Sequence, residues 1–440
     1  MVYLIKICFY LRKEKYMENV INRKEIAPGV YFSSVTDSRY KFNNISVNFF
    51  NVLDEKTASA NAAAFCVLTT ANSQYPTYKQ LKNRLLRLYG ASVQPVFGKR
   101  YDLQTIGMSA QFLDDAYALD GEAITAAITD IMTDCLFSPV LENGIFPEKT
   151  VELEKQTIID RIEEMINDKR SYAVNKAVSL LCKGEPAEYF SCGTVEKARA
   201  LTPQDVYDAY KNVITTMRCE IICVGSNDFK QAEEKFAKAF GEITRAPAGF
   251  TITRSSLKEQ PLFETETMSV SQSKMVLGFK TQSDDDDALS MVQKIYGGTT
   301  SSKLFRNVRE KMSLCYYCFA SLNSEKGMML VQCGVENENI EKARDEIIHQ
   351  LDEIKNGNFT DEDINVSQVT VTNNSNTIYD SVGGVENWYL DRIIRDKVET
   401  PTQYAERLLG VSRERIIEAA NSLVLDTVYV LTGVEKGDDQ

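Results

Sequence analysis

The feature that most restricts the fold of this chain is an internal duplication. The motif Asn143-Gly144-Ile145-Phe146 recurs as Asn356-Gly357-Asn358-Phe359, and each copy follows an amphipathic helix pattern and precedes a long charged, helix-like stretch. The segment from Leu201 to Gly225 is echoed by the segment from Val411 to Gly433, and both predict a helix, an apolar strand and a glycine. Because both pairs are offset by about half of the chain, the repeat unit is a whole lobe and not a solenoid module.

Strand and helix patterns are interleaved within each half. Alternating apolar side chains predict one clear strand in each half, formed by Ile45, Val47 and Phe49 and by Met275, Leu277 and Phe279. A helix is predicted from about Pro76 to Leu88, with proline near its start and Gly90 just past its end. These patterns give an α+β fold class, with two homologous α/β sandwich lobes related by the duplication.

The composition places the lobe boundaries. Residues 245–265 are rich in proline, glycine and polar side chains and are interpreted as the linker. We therefore predict a first lobe over 28–244 and a second lobe over 266–440. Residues 1–27 are interpreted as an N-terminal extension, with Met17 as an alternative translation start.

Charge and hydropathy exclude two classes of partner. The chain carries 50 Lys and Arg against 62 Asp and Glu, a net charge of -12, which repels phosphate backbones and argues against nucleic acid. Its opening apolar stretch is interrupted by Lys6 and Arg12 and is far shorter than the ~20 apolar residues that span a bilayer. A secretory signal would need a longer apolar segment and a cleavage site. We expect no membrane association and a cytoplasmic location.

The ten cysteines show no spacing typical of a disulfide framework. Cys315 and Cys318 form a C-x-x-C, for which a redox role or half of a zinc site are the functional alternatives. It lies in the strand-like run CYYCF, and no second C-x-x-C supplies further ligands. We therefore interpret most cysteines as core residues.

Several motifs in both halves resemble one peptidase family. In order along the chain they are Asn61–Thr70 (NAAAFCVLTT), Tyr75–Thr77, Leu88–Ser92, Gly297–Phe305 (GGTTSSKLF), Val308–Lys311, Leu314 and Tyr316. With the duplication, they make the chain similar to the M16 (pitrilysin/insulinase-type, processing-peptidase-like) metallopeptidases from about residue 28 to 436. The resemblance implies a LuxS/metallohydrolase-like fold in each lobe.

The resemblance also implies where a zinc site would lie. In active members an H-x-x-E-H helix supplies two zinc-binding histidines and the general base, and a distant glutamate completes the site. The matching positions here hold Ala64, Val67, Leu68 and Arg161, none of which can bind or activate a metal-bound water. The whole chain has one histidine, His349, which we expect at the surface of a helix. We expect no catalytic residue, no metal and no cofactor.

The second half keeps a different part of the family pattern. In M16 peptidases an arginine and a tyrosine seven residues later hydrogen-bond the substrate near the scissile carbonyl, and Arg309 and Tyr316 stand at that spacing. The resemblance thus implies a substrate-binding role for both. The alternative is that Arg309 pairs with a neighbouring acid and Tyr316 packs within a strand.

These features together predict an inactive subunit and not a peptidase in its own right. The leading hypothesis is a substrate-binding subunit that pairs with an M16 subunit containing H-x-x-E-H and holds a peptide or unfolded protein segment, in a heterodimer or a homodimer. The alternative is a non-enzymatic scaffold or accessory protein, for example one linked to elongation factor P modification, that uses the M16 shell for assembly.

Overall fold

A computed structural model of the chain describes residues 20–433 and contains one β-sheet in each half of the sequence. The strands of the first sheet are β1 (Asn22–Ala27), β2 (Val30–Thr36), β3 (Phe42–Val52), β4 (Ser92–Arg100), β5 (Leu103–Leu113) and β6 (Arg218–Gly225). Those of the second are β7 (Leu262–Met268), β8 (Ser273–Lys280), β9 (Cys315–Asn323), β10 (Met328–Val335) and β11 (Val424–Gly433). The α+β fold class is confirmed. The alternative start at Met17 lies outside the described residues.

The two sheets share one topology, as the duplication predicts. The first has the order β1-β2-β6-β3-β5-β4 and the second the order β7-β11-β8-β10-β9. In each sheet the last strand of the lobe pairs parallel with an early strand, β6 with β2 and β11 with β7, while the remaining neighbours are antiparallel. The first sheet differs by its additional edge strand, β1.

Helices pack against both sheets. The first half contributes α1 (Ala58–Leu68), α2 (Tyr78–Arg87), α3 (Ile124–Phe137), α4 (Glu148–Asn167), α5 (Lys169–Leu181), α6 (Val195–Ala200), α7 (Pro203–Thr216) and α8 (Lys230–Gly241). The second contributes α9 (Asp286–Gly297), a π-helix (Leu304–Lys311), α10 (Ile340–Lys355), α11 (Asp361–Ile378), α12 (Val382–Ile394), α13 (Pro401–Leu409) and α14 (Arg413–Asn421). Within residues 20–433 no helix combines the length and the apolar character needed to cross a membrane.

The repeated Asn-Gly motif marks the same turn in both lobes. Gly144 and Gly357 have φ angles of 86° and 77°, a left-handed conformation that favours glycine. Each turn joins two helices, and the aromatic residue that follows, Phe146 or Phe359, is buried in the core of its lobe. The internal repeat therefore reflects equivalent local structure.

Each lobe also packs one helix on the sheet of the other. Helix α5, from the first half, contacts β8 and β11 of the second sheet, and α12, from the second half, contacts β3 and β6 of the first. Gly278 makes room for this packing, since a Cβ there would lie 2.5 Å from Cδ1 of Leu181. This exchange of helices buries the face of each sheet that its own lobe leaves uncovered. The two lobes therefore form one packed unit.

The lobe boundaries differ from those expected. The first sheet begins at Asn22, within the expected extension, and β7 begins at Leu262, within the expected linker. Strand β1 has the polar sequence NRKEIA at an exposed sheet edge, which lacks the apolar alternation that sequence analysis requires. The segment between the lobes is anchored, because buried Arg245 donates to the carbonyls of Pro28, Ile214 and Met217.

A buried ion cluster joins the two lobes at Lys326, in the turn between β9 and β10. Its ammonium group donates to both oxygens of Asp102 (2.8 and 3.0 Å), to Glu185 (2.6 Å) and to the carbonyl of Thr253 (2.6 Å). Burial by itself would lower the pKa of Lys326, but the hydrogen bonds to Asp102 and Glu185 raise it. The side chains of Lys326 and Asp102 are almost wholly excluded from solvent, so this cluster fixes one lobe against the other.

Candidate functional site

Helix α1 holds the positions that match the zinc-binding helix of the M16 family. All of its residues are buried, and Ala64, Val67 and Leu68 are 0%, 4% and 0% exposed. Their side chains belong to the apolar core of the first lobe. They offer no heteroatom to a metal, and at this position they form part of the apolar core.

Arg161 lies on α4, which packs directly against α1. Its guanidinium group is 4.5 Å from the centroid of the Phe97 ring on β4, a cation–π contact that a ligating carboxylate could not make. Cys66 lies within electrostatic reach of Glu154 and Arg161. Burial raises the pKa of this thiol, and Glu154 raises it further while Arg161 opposes the effect. A thiol held in its protonated form is a poor ligand and a poor nucleophile.

Strand β4, beneath Arg161, is the edge strand of the first sheet. Within residues 20–433 no strand pairs with its outer side, which leaves backbone donors and acceptors available to another chain. Pro95 interrupts the donors along this edge, as is usual for proline in sheets. The edge can therefore accept an extended segment over the part of β4 that carries Phe97.

Arg309 and Tyr316 lie on two adjoining elements of the second lobe. The π-helix ends beside Met312, Ser313 adopts φ 51°, and β9 then begins at Cys315. The Arg309 side chain is 41% exposed and stacks over the Phe305 ring at 4.7 Å, while its Nε is 3.6 Å from Glu310. Pairing with a neighbouring acid, the alternative noted for Arg309, therefore occurs at the surface.

Tyr316 projects into solvent, in contrast to the strand-packing alternative. It is 62% exposed, and a hydrogen bond to the Glu336 carboxylate raises the pKa of its hydroxyl. No hydrogen bond joins Arg309 to Tyr316 among the described residues. The structure thus presents both polar groups at one exposed junction without fixing them to each other.

A β-bulge explains the orientation of Tyr316. In the β9–β10 ladder Gly334 is paired with Tyr317 and Val335 with Cys315, so Tyr316 is the extra residue. A bulge leaves its extra residue unpaired and often re-aims a side chain next to a functional site. The sequence pattern predicts the strand but not the bulge, because a single unpaired residue has no signature in the apolar pattern.

The same bulge brings three cysteines together. In a regular strand Cys315 and Cys318 would point to opposite faces, since side chains alternate with a period of two. The extra residue turns both to the buried face, and Cys333 lies directly opposite Cys318 on β10. The three sulfur atoms lie within 4.8 Å of one another, and no other such group of three His, Cys, Asp or Glu occurs within residues 20–433.

The three thiols differ in acidity. Hydrogen bonding from Cys318 and then from Cys333 lowers the pKa of Cys315, and the charge of Arg309 acts in the same direction while burial opposes it. The pKa of Cys318 is raised by its bond to Cys315. The sequence favours a core role for the C-x-x-C, and the third cysteine becomes apparent only from the pairing of β9 with β10.

Comparisons with known proteins agree with the fold and relate the chain to M16 proteins. A family model described as "Peptidase M16 inactive domain" matches residues 200–368. The protein named "Probable inactive metalloprotease YmfF" from Bacillus subtilis (strain 168) is 28% identical over 402 residues, which cover 90% of this chain and 94% of that protein.

Solved structures show the same architecture. A conserved protein from Enterococcus faecalis V583 superposes with a TM-score of 0.85 at 24% identity and covers 95% of this chain and 100% of its own. A peptidase M16 inactive domain from Pseudomonas fluorescens gives a TM-score of 0.73 at 15% identity, with 96% of this chain and 100% of its own covered. At these identities the likeness concerns the fold alone.

Proposed function

The chain is similar to M16 peptidases and lacks H-x-x-E-H, and on this premise we propose that it is a substrate-binding subunit of a two-chain zinc peptidase. A second M16 chain would supply the metal, and this chain would supply Arg309 and Tyr316. The observation that carries the proposal is the exposure of Tyr316 on a bulge beside Arg309, while the zinc-binding positions are packed into the core.

The chemistry of the two side chains suits a peptide backbone. Arginine supplies fixed donors and tyrosine a hydroxyl that donates or accepts, so together they can hold a carbonyl that a zinc ion polarises. The ion pair that Arg309 now makes is weak, since Glu310 is itself 58% exposed and water competes for it. Exchanging this ion pair for a substrate contact costs little free energy.

Edge strand β4 offers a second contact to the same class of ligand. An extended peptide can add to its outer side through main-chain hydrogen bonds, which give affinity without selecting a sequence. The net charge of -12 favours peptides with basic residues through a long-range field that salt weakens. We therefore expect unfolded or extended basic segments as ligands.

The proposal is tested with the full chain and an H-x-x-E-H subunit from the same genome. The two are co-expressed, purified as a complex and assayed for cleavage of a basic reporter peptide. Arg309→Ala and Tyr316→Phe should each lower kcat/KM by about 100-fold or more, the scale of losing one donor near the scissile carbonyl. The matched control is Tyr78→Phe, since Tyr78 is 60% exposed on the other lobe.

Three results would contradict the proposal. One is unchanged cleavage in both second-lobe variants, and another is equal loss in Tyr78→Phe. The third is stable assembly only with a partner that also lacks H-x-x-E-H, which would favour the scaffold or accessory role. Arg309→Lys separates charge from geometry, because lysine keeps the charge but not the fork of donors.

A further inference from the structure

The cluster of Cys315, Cys318 and Cys333 has no role in the proposed function. We propose that these three residues form a thiolate site for a thiophilic metal ion, with Zn²⁺ as the expected ion. The inference concerns a different face of β9 from the one that presents Tyr316, and it holds whether or not the chain binds peptide.

The spacing of the sulfurs fits such an ion. With Zn–S bonds of about 2.3 Å, the sulfurs of a zinc–thiolate site lie roughly 3.8 Å apart. The three sulfurs here are already within 4.8 Å of one another, so small side-chain rotations would suffice. They come from two hydrogen-bonded strands whose register is fixed by the sheet, which gives the site a rigid support.

The donor set selects the class of metal. Thiolates favour Zn²⁺ and Cu⁺ over Mg²⁺ or Ca²⁺, which prefer oxygen ligands. Three thiolates around a dication leave a single net negative charge, whereas around Cu⁺ they would leave two. The smaller residual charge makes Zn²⁺ the less costly occupant of a site that is largely buried. Zinc with three protein ligands keeps a fourth position for water or another group.

The cluster differs from the other cysteines of the chain. The remaining cysteines of the described range are also buried and free, yet no three of their sulfurs converge. Cysteine used only to fill a core has no reason to gather in this way, whereas a bulge that turns both Cys315 and Cys318 inward creates the convergence directly. Cys315 is 9% exposed and Cys333 is 0% exposed, so the ion would enter from the Cys315 side.

A bound ion would tie β9 to β10 across the bulge. It would hold the backbone on both sides of Tyr316 and oppose fraying of the sheet edge. Because the ligands must lose their protons, binding would release protons and weaken at low pH. It would also stabilise the folded chain in proportion to the logarithm of the free metal concentration.

The test uses the full chain, reduced and stripped with a chelator under anaerobic conditions. Zn²⁺ and Cu⁺ are added in separate samples, unbound ions are removed by desalting, and retained metal is measured by inductively coupled plasma mass spectrometry. We expect retention of about one Zn²⁺ per chain and a metal-dependent rise in Tm. Co²⁺ in place of Zn²⁺ should show a thiolate-to-metal charge-transfer band.

Variants identify the ligands. Cys333→Ser should lower zinc retention at least 10-fold, while Cys223→Ser should retain zinc like the parent chain, since Cys223 is equally buried in a central strand. If Cys333→Ser does not fold, Cys315→Ala at the margin of the core gives the same test. The proposal is overturned by no retention, by retention that survives both cluster variants, by uptake of Cu⁺ alone, or by thiol titration that finds a disulfide in the metal-free protein.

Discussion

The degenerate zinc position and the Arg309–Tyr316 junction are the two regions that the family resemblance assigns to catalysis and substrate binding, and they have opposite physical character. At the first, small and apolar residues fill the core, and α1 is buried throughout. At the second, a bulge and a left-handed residue hold polar side chains in solvent. Packing alone explains the first region. It does not explain the exposure of Tyr316, which the bulge leaves in solvent while Cys315 and Cys318 turn to the core.

The largest effect is expected where the two lobes are locked together. Lys326→Met should lower the free energy of unfolding by about 3–5 kcal/mol, because it leaves Asp102 buried and uncompensated. Urea unfolding measures the change. Lys230→Met is the control, since Lys230 is 79% exposed in its pair with Asp228, and it should stay within about 0.5 kcal/mol of the parent. Equal effects in the two variants would mean that the lobes are not held by this cluster.

Restoring a histidine at the degenerate position should fail for reasons of packing. Leu68→His places a polar ring in a fully buried site and should cost about 3 kcal/mol or more, without zinc binding at this position. The same change at Leu86, which is 68% exposed on α2, should be nearly neutral. A variant that folds normally and binds zinc there would remove the distinction between the two regions.

The second region should tolerate substitution without loss of stability. Tyr316→Phe should leave Tm unchanged, because the exposed hydroxyl contributes no buried contact. Tyr296→Phe is the contrasting change: this buried hydroxyl donates to the Ile347 carbonyl at 2.7 Å, and its loss should cost about 1–2 kcal/mol. Thermal unfolding of both proteins makes the comparison. A clear fall in Tm for Tyr316→Phe would indicate a structural role.

The smallest expected effect is a pH dependence of the free energy of unfolding, caused by Glu386 at the contact between α12 and the first sheet. Burial raises the pKa of Glu386, and bonds from Ser46 and Asn44 and the charge of Arg100 offset this only in part. Since the folded-state pKa is above the unfolded one, the carboxyl group favours folding when protonated, and this contribution is lost as pH rises through the folded-state pKa. Glu386→Gln should therefore be slightly more stable than the parent at pH 7 and equal to it under acidic conditions. Glu163→Gln, which makes the same change at an exposed position of α4, is the matched control.

Much of the fold could be predicted because its signals are local and repeated. The alternation around Val47 and Leu277 gave central strands, and the helix expected near Leu81 runs over Tyr78–Arg87 with Thr77 as its cap. His349 is exposed on α10, as expected. Strand β1 was missed because an edge strand with both faces near solvent has little apolar alternation. The roles of Arg309 and Tyr316 remain predictions that rest on the family resemblance.

The sequence by itself determined that this chain cannot assemble a two-histidine zinc site, since it contains a single histidine, and that its architecture is duplicated. Only the tertiary structure decided that α5 and α12 are exchanged between the sheets, that Tyr316 faces solvent, and that Cys333 joins Cys315 and Cys318. The physical reason is that composition and periodicity report local preferences. A bulge and a strand register instead depend on which distant residues pair, and one unpaired residue reverses the direction of the side chains beyond it.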